Sequence, residues 1–168
     1  MKQLIGNSDF SEIIKIIKQA RERALKSVNA EMINMYWQIG EYLSELCKDS
    51  SFGDKVIEEV ASYIAKNNPG IKGFNRRGLY RMRQFYELYK GDEFVTTLLT
   101  QISWSNHLLI MSNAKSIEER RFYMQMCVKD KYSFRELERQ MDSALYQRYM
   151  LSSKKTLPKN VPAAVRES

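Results

Sequence analysis

Apolar residues recur every three or four positions through most of the chain, which is the period of an α-helix with one buried face. From Phe10 to Leu46 the period is unbroken, and neither Pro nor Gly interrupts it before Gly40. The pattern predicts one helix of about 35 residues, or two helices joined near residues 27–29. A helix this long exceeds the usual globular range and favours a helical hairpin or a coiled-coil contact. Its Met35-Tyr36-Trp37 stretch is interpreted as core, with a dimer interface as the alternative.

Further helices follow, separated by recognisable stop and start signals. A second amphipathic helix covers residues 54–66, and Asn67-Asn-Pro-Gly70 ends it because Pro cannot continue the helical hydrogen bonds. Two Ser-x-x-Glu capping boxes, at Ser116 and Ser133, predict helices at about 117–129 and 134–150. No segment has the pattern of a β-strand. The sequence therefore predicts an all-α fold with several helices.

The helix from Asn75 to Tyr89 has two chemically different sides. Asn75 is a suitable N-cap for it. One side is apolar, with Leu79, Met82, Phe85, Tyr86 and Tyr89. The other side is basic and polar, with Arg76, Arg77, Tyr80, Arg81, Arg83 and Gln84. The order of helix, short Pro/Gly turn and basic helix is the outline of a helix-turn-helix.

The net charge of +7 is concentrated around this helix. Residues 61–90 hold seven basic groups and one acidic group, a balance of +6, and no Asp or Glu occurs between Val60 and Tyr86. A local positive patch indicates an anionic partner. We expect duplex DNA, held electrostatically by Lys72 and by four arginines: Arg76, Arg77, Arg81 and Arg83.

The remaining polar side chains of the patch have more specific expected roles. Base edges would be read by Arg77, Arg81 and Gln84, because these lie one turn apart on one helix face. Tyr80 would bond a phosphate or stack on a base, and Asn75 completes the expected DNA-binding set. The alternative for each arginine is an ion pair with a neighbouring helix, and the alternative partner for the patch is an acidic protein.

No catalytic constellation is visible in the sequence. His107 is the only histidine, and its place beside Trp104 and Leu108 favours a hydrogen-bonded structural role. No glycine-rich phosphate loop occurs, and no Asp or Glu is followed two residues later by Lys. We therefore expect no enzymatic activity, no metal, no cofactor and no small-molecule substrate.

The compartment is predicted from the cysteines and the apolar segments. Cys47 and Cys127 are far apart within helical patterns, which is typical of reduced thiols in a cytoplasmic protein. Residues 1–10 do not form a signal peptide, and no apolar run approaches the ~20 residues of a membrane span. The expected location is the cytoplasm, without membrane contact.

Six segments along the chain carry a further indication: Asn29–Gly40, Phe52–Ile57, Gly73–Tyr86, Ser103–His107, Glu119–Tyr123 and Tyr132–Glu138, in this order. Together they resemble a known family, the N-terminal domain of the YhcG-like nucleases of the PD-(D/E)XK type, a domain of unknown function. The resemblance covers about residues 10–151. It implies a helical module for DNA binding or assembly, ahead of a nuclease domain that would begin near residue 160. Gly78 departs from the pattern, which has a polar residue such as Asn there.

Taken together, these observations predict a helical domain at residues 1–151 and a flexible tail or linker at 152–168. The predicted function is a duplex-DNA-binding and dimerising module of a nuclease, with the long first helix as the homodimer contact and without activity of its own. The first alternative is a protein-interaction module that does not touch DNA. The second is an intact nuclease.

Overall fold

The computed structural model describes residues 7–48 and 51–156, and it confirms the all-α prediction. These residues form eight α-helices and one short 3₁₀ helix, without a β-strand. The helices are α1 (Asn7–Lys48), α2 (Gly53–Asn67), α3 (Arg76–Tyr89), α4 (Glu93–Thr96), the 3₁₀ helix (Leu99–Gln101), α5 (Trp104–Asn113), α6 (Ile117–Asp130), α7 (Phe134–Asp142) and α8 (Leu145–Thr156). Within the described ranges, no helix has the length and apolar character needed to cross a membrane.

The chain forms two compact units, one ending at Trp104 and the other beginning at Ser105. The core of the first unit joins α1, α2 and α3. Its buried side chains are Leu43, Cys47, Ile57, Leu79 and Met82. At Gly40, the α1 and α3 backbones touch directly, since a Cβ built there would lie 2.2 Å from the carbonyl oxygen of Met82. Only glycine fits at this crossing.

The first helix is continuous but changes its surroundings at Asn29. Every described side chain before this position is exposed. The Asn29 side-chain amide donates hydrogen bonds to the carbonyl oxygens of Thr100 (2.9 Å) and Ile102 (3.0 Å), which ties the middle of α1 to the 3₁₀ segment. The single-helix alternative is therefore the observed one, with only its second half packed on the unit.

The aromatic residues of α1 join this core. Tyr36 stacks on Trp104 with ring centroids 4.3 Å apart, and Trp37 meets Phe85 edge-on at 5.7 Å. Their interpretation as core residues fits, whereas Met35 remains exposed.

The Asn75 side chain caps α3 by accepting a hydrogen bond from the backbone N–H of Gly78 at 2.9 Å.

The second unit contains helices α6 to α8 and most of α5. The N-cap half of both predicted capping boxes is present: Ser116 Oγ accepts from the N–H of Glu119 and Ser133 Oγ accepts from that of Glu136. The Glu119 carboxylate accepts from the N–H of Lys115 rather than from that of Ser116. His107 is fully buried.

The expected helix over 134–150 is wrong in one respect, because it breaks between Asp142 and Leu145. Ala144 adopts φ 57, the left-handed region, which ends the regular helical path. The hydroxyl of Tyr123 then accepts a hydrogen bond from the N–H of Tyr146 and so caps the new helix start. Helix α8 continues to Thr156, so the first residues of the expected tail are helical, and residues 157–168 lie outside the described part of the chain.

Candidate nucleic-acid interface

The basic side of α3 is divided into two edges by the position of α2. We call Arg76, Tyr80 and Arg83 the inner edge, and Arg77, Arg81 and Gln84 the outer edge. At about 100° per residue, the inner edge lies next to the apolar side that begins with Leu79, and the outer edge lies further round the helix. The two edges have different partners.

The inner edge is occupied by acidic side chains. Arg76 Nη1 lies 3.0 Å from Glu58 Oε1, and the Tyr80 hydroxyl donates to Asp54 Oδ1 at 2.9 Å. Both acids belong to α2 and are one turn apart. The hydrogen bond to the Asp54 carboxylate, with the negative charge of that group, raises the pKa of Tyr80 above its usual value.

The third inner-edge residue is paired within its own helix. Arg83 Nε donates to Glu87 Oε1 at 2.9 Å, and the same carboxylate oxygen accepts from Ser44 Oγ on α1 at 3.0 Å. The segment without Asp or Glu between Val60 and Tyr86 therefore does not leave the inner edge without acidic partners. The acidic partners lie just outside this segment, since Asp54 and Glu58 precede it and Glu87 follows it.

The outer edge has no acidic partner among the described residues. Arg77 is exposed and makes no hydrogen bond or ion pair with them. Arg81 Nη1 donates to Gln84 Oε1 at 3.3 Å, so these two side chains lie together. With Arg76 and Tyr80 they line a shallow groove of about 420 Å³. Planar guanidinium groups suit phosphate oxygens and the acceptor edge of guanine.

A larger cavity of about 690 Å³ lies on the other side of the inner edge, between the end of α1, the start of α2, and α3. Asp54 and Glu58 face Arg76 and Arg83 across it. Three basic side chains (Lys55, Arg76 and Arg83) and two acidic ones line this cavity, so the acids offset most of its positive charge and an anion would gain less here. The outer groove is the better anion site of the two.

Lys72 and Asn75 complete the set predicted from the sequence. Lys72 is exposed in the turn before α3, and the described residues provide no ion-pair partner for it. The Asn75 side chain is committed to the helix cap described above. The structure therefore keeps Lys72 available to an outside partner and gives Asn75 an internal role.

The turn before α3 also explains Gly78. Gly73 has φ +92, and its carbonyl oxygen would lie 2.2 Å from a Cβ placed on Gly78. A side chain at residue 78 would clash with this backbone oxygen. Gly78 therefore allows the turn carrying Lys72 to fold closely over the first turn of α3. Because glycine has no side chain, residue 78 offers no polar side-chain contact.

Residues 12–148 match the profile of the DUF1016 N-terminal domain. The chain belongs to this family. It is also similar to a protein of Escherichia coli (strain K12) described as "Putative nuclease YhcG", with 24% identity over 186 aligned positions. The alignment covers 90% of this chain and 49% of that protein, so the chain spans about half of that relative. No solved structure matches the chain.

The family membership confirms the resemblance seen in the sequence. The DUF1016 N-terminal match includes all of α3 and both of its edges. Within the described residues, no three or more His, Cys, Asp or Glu side chains are grouped to hold a metal ion.

Proposed function

We propose that this DUF1016 N-terminal domain binds duplex DNA through the outer edge of α3, acting as a dimer in the cytoplasm. The observation that supports this is the difference between the edges: acids occupy the inner edge, while Arg77, Arg81 and Gln84 line a groove without one. Electrostatic capture requires cations that are not already paired, and on α3 Arg77 and Arg81 have no acidic partner among the described residues.

In this proposal the roles within the patch are divided. Arg77, Arg81 and Lys72 contact phosphates, which supplies most of the affinity but no sequence information. Gln84 and the two arginines can also reach base edges if α3 enters the major groove as a recognition helix, with α2 as the preceding helix of a helix-turn-helix-like pair. The inner edge pairs with Asp54 and Glu58 of α2 and leaves DNA contact to the outer edge.

The domain has no catalytic activity of its own in this proposal. Its relative in Escherichia coli is about twice as long and is described as "Putative nuclease YhcG". We assign this chain the binding half of such a protein, which would hold DNA for a PD-(D/E)XK-type domain.

The test is a fluorescence anisotropy titration of the purified chain with a random duplex of 30 base pairs at two salt concentrations. Three phosphate contacts per protomer predict a log–log salt slope of about −3 per bound protomer. Micromolar or tighter binding with this slope supports the proposal. Binding that is absent at 50 mM salt, or that does not change with salt, would overturn it.

A second candidate function is a protein-assembly module without DNA contact. It is favoured by a long apolar stripe that remains exposed on α1. Sedimentation measurements distinguish the two, because a stable dimer that shows no DNA affinity at moderate salt supports assembly alone.

A further inference from the structure

An apolar stripe runs along the whole of α1 and is exposed over nearly all of its length. We call it the α1 stripe. Its members step by three or four residues: Phe10, Ile13, Ile17, Ala20, Ala24, Val28, Met32, Met35, Ile39, Tyr42 and Leu46. At 100° per residue they share an arc of about 120°. Exposure is 53% at Phe10, 57% at Val28 and 66% at Tyr42.

Within the α1 stripe, Ile39 is half-buried against the core of the first unit, whereas the other members are exposed. The buried positions Leu43, Cys47 and Ile33 lie about 80°, 120° and 160° from the centre of the stripe around the helix. In the first half of α1 these directions are taken by exposed residues, with Leu25 in line with Leu43 and the charged Lys15 in line with Ile33. The stripe is therefore a second apolar surface, and contiguous exposed apolar surfaces mark interaction sites.

We propose that the α1 stripe pairs with the α1 stripe of a second copy in antiparallel orientation, with Val28 facing Val28 across the two-fold axis. This inference rests on the dimer of the proposed function and names its interface. Val28 is the midpoint between Phe10 and Leu46, the two ends of the stripe. Pairing about this midpoint leaves no stripe residue without an opposite apolar surface.

Side-chain size supports this register. The pairs include Phe10 with Leu46, Ile17 with Ile39, and Ala24 with Met32. Small and large residues face each other near the centre, where Ala20 and Ala24 of one copy lie against Met35 and Met32 of the other. Knobs of this kind fill the space left by small residues, which is what a packed helix pair needs.

Charge supports the antiparallel direction. Residues 10–28 hold five basic and two acidic groups, a balance of +3, whereas residues 29–48 hold one basic and three acidic groups, a balance of −2. Antiparallel pairing places each positive half against a negative half, for example Lys15 near Glu41. Parallel pairing would place like charge against like charge. A two-fold interface of this type is self-complementary and closed.

The first experiment measures mass by sedimentation. We expect a dimer for the native chain, and for Val28→Glu a dissociation constant raised at least 100-fold. The matched control is Gln19→Glu, which adds the same charge on the opposite, exposed side of α1 and should leave the dimer intact. Circular dichroism should be unchanged in both, because both positions are exposed.

A native chain that remains monomeric at 100 µM overturns the proposal and the dimer in the proposed function. DNA binding is scored separately by anisotropy, so its failure is distinguishable. A dimer that withstands Val28→Glu also overturns the α1 stripe as its interface.

The second experiment tests orientation with disulfides. A mixture of Ala24→Cys and Met32→Cys copies should form a mixed disulfide under mild oxidation, and Val28→Cys should cross-link alone. Ala24→Cys alone should not, because in the antiparallel register its two copies lie about 12 Å apart along the axis, too far for a disulfide. The native chain, with Cys47 and Cys127 buried, is the blank. Cross-linking of Ala24→Cys to itself would establish a parallel pair and overturn the register.

Discussion

The inner and outer edges of α3 carry similar residues and meet different surroundings. Each edge has two arginines and one polar side chain on the same helix. Asp54 and Glu58 of α2 lie against Arg76 and Tyr80, while Arg77 has no acidic partner among the described residues. The comparison shows that a basic helix does not have one electrostatic face. Its neighbours decide which cations remain available to an outside partner.

The strongest test of this difference removes the outer arginines. Arg77→Ala with Arg81→Ala should weaken duplex-DNA binding at least tenfold, because two charge-assisted phosphate contacts are lost, and should reduce the salt slope by about two. Anisotropy titrations measure both values. The circular dichroism spectrum of the double variant should remain that of a helical protein.

The matched variant for this test is Arg76→Ala with Arg83→Ala, which removes the same charge from the inner edge. Since these arginines are paired with Glu58 and Glu87, we expect a loss of less than threefold. Equal losses for the two double variants would show that the edges do not differ in function.

The next largest effect concerns Asn75, which belongs to neither edge. Asn75→Ala removes the N-cap hydrogen bond and should lower the free energy of unfolding by about 1 kcal/mol. Urea unfolding measures this change. Asn75→Ser keeps the cap and should restore stability. If Asn75→Ala instead leaves stability unchanged and weakens DNA binding tenfold, the side chain is a DNA contact.

A smaller effect on DNA affinity is expected when the inner edge, like the outer edge, loses its acidic partners on α2. Asp54→Asn with Glu58→Gln removes the acids that occupy the inner edge, and Arg76 then becomes available to phosphate. DNA affinity should rise about threefold at 100 mM salt, since a nearby negative potential is also removed. Glu59→Gln, an exposed acid on the same helix, is the control and should change affinity less. A decrease in affinity would mean that the acids orient the inner edge for binding.

The smallest expected effect is a shift in the titration midpoint of the Tyr80 hydroxyl. The hydrogen bond to Asp54 raises the pKa of Tyr80 above its usual value. A raised pKa in the folded state means that this bond stabilises the fold below pH 10 and that its contribution is lost as pH rises through the folded pKa. Difference absorbance at 295 nm between the native chain and Tyr80→Phe follows this group. Asp54→Asn should return the midpoint toward its usual value, and an unchanged midpoint would argue against the contact.

Much of the fold follows from local patterns. The period of α1, the Asn75 cap and the capping boxes at Ser116 and Ser133 depend on residues within a few positions of one another, so they can be recognised in the sequence. The break at Ala144 was not recognisable, because neither Gly nor Pro marks it. An alanine in the left-handed region is maintained by its surroundings rather than by its own preference.

The residues of the candidate site could be predicted from the sequence, but not their separation into a paired inner edge and an unpaired outer edge. The eight residues proposed from the sequence include the whole outer edge. The partners of the inner edge depend on how α2 packs beside α3, and no local pattern encodes that. One pair could have been found, since Arg83 and Glu87 are four residues apart on one helix.

The contact at Gly40 determines where α1 crosses α3 and therefore how far this crossing lies from Val28 along α1. It fixes where α1 meets α3, twelve residues beyond Val28, or about 18 Å along the helix axis. In the antiparallel pair proposed above, the two crossings would lie about 36 Å apart along α1. One turn of B-form DNA spans about 34–36 Å. The length of helix between Val28 and Gly40 would therefore match two half-sites on successive turns of one duplex, and adding or removing one turn of α1 would change the preferred half-site spacing.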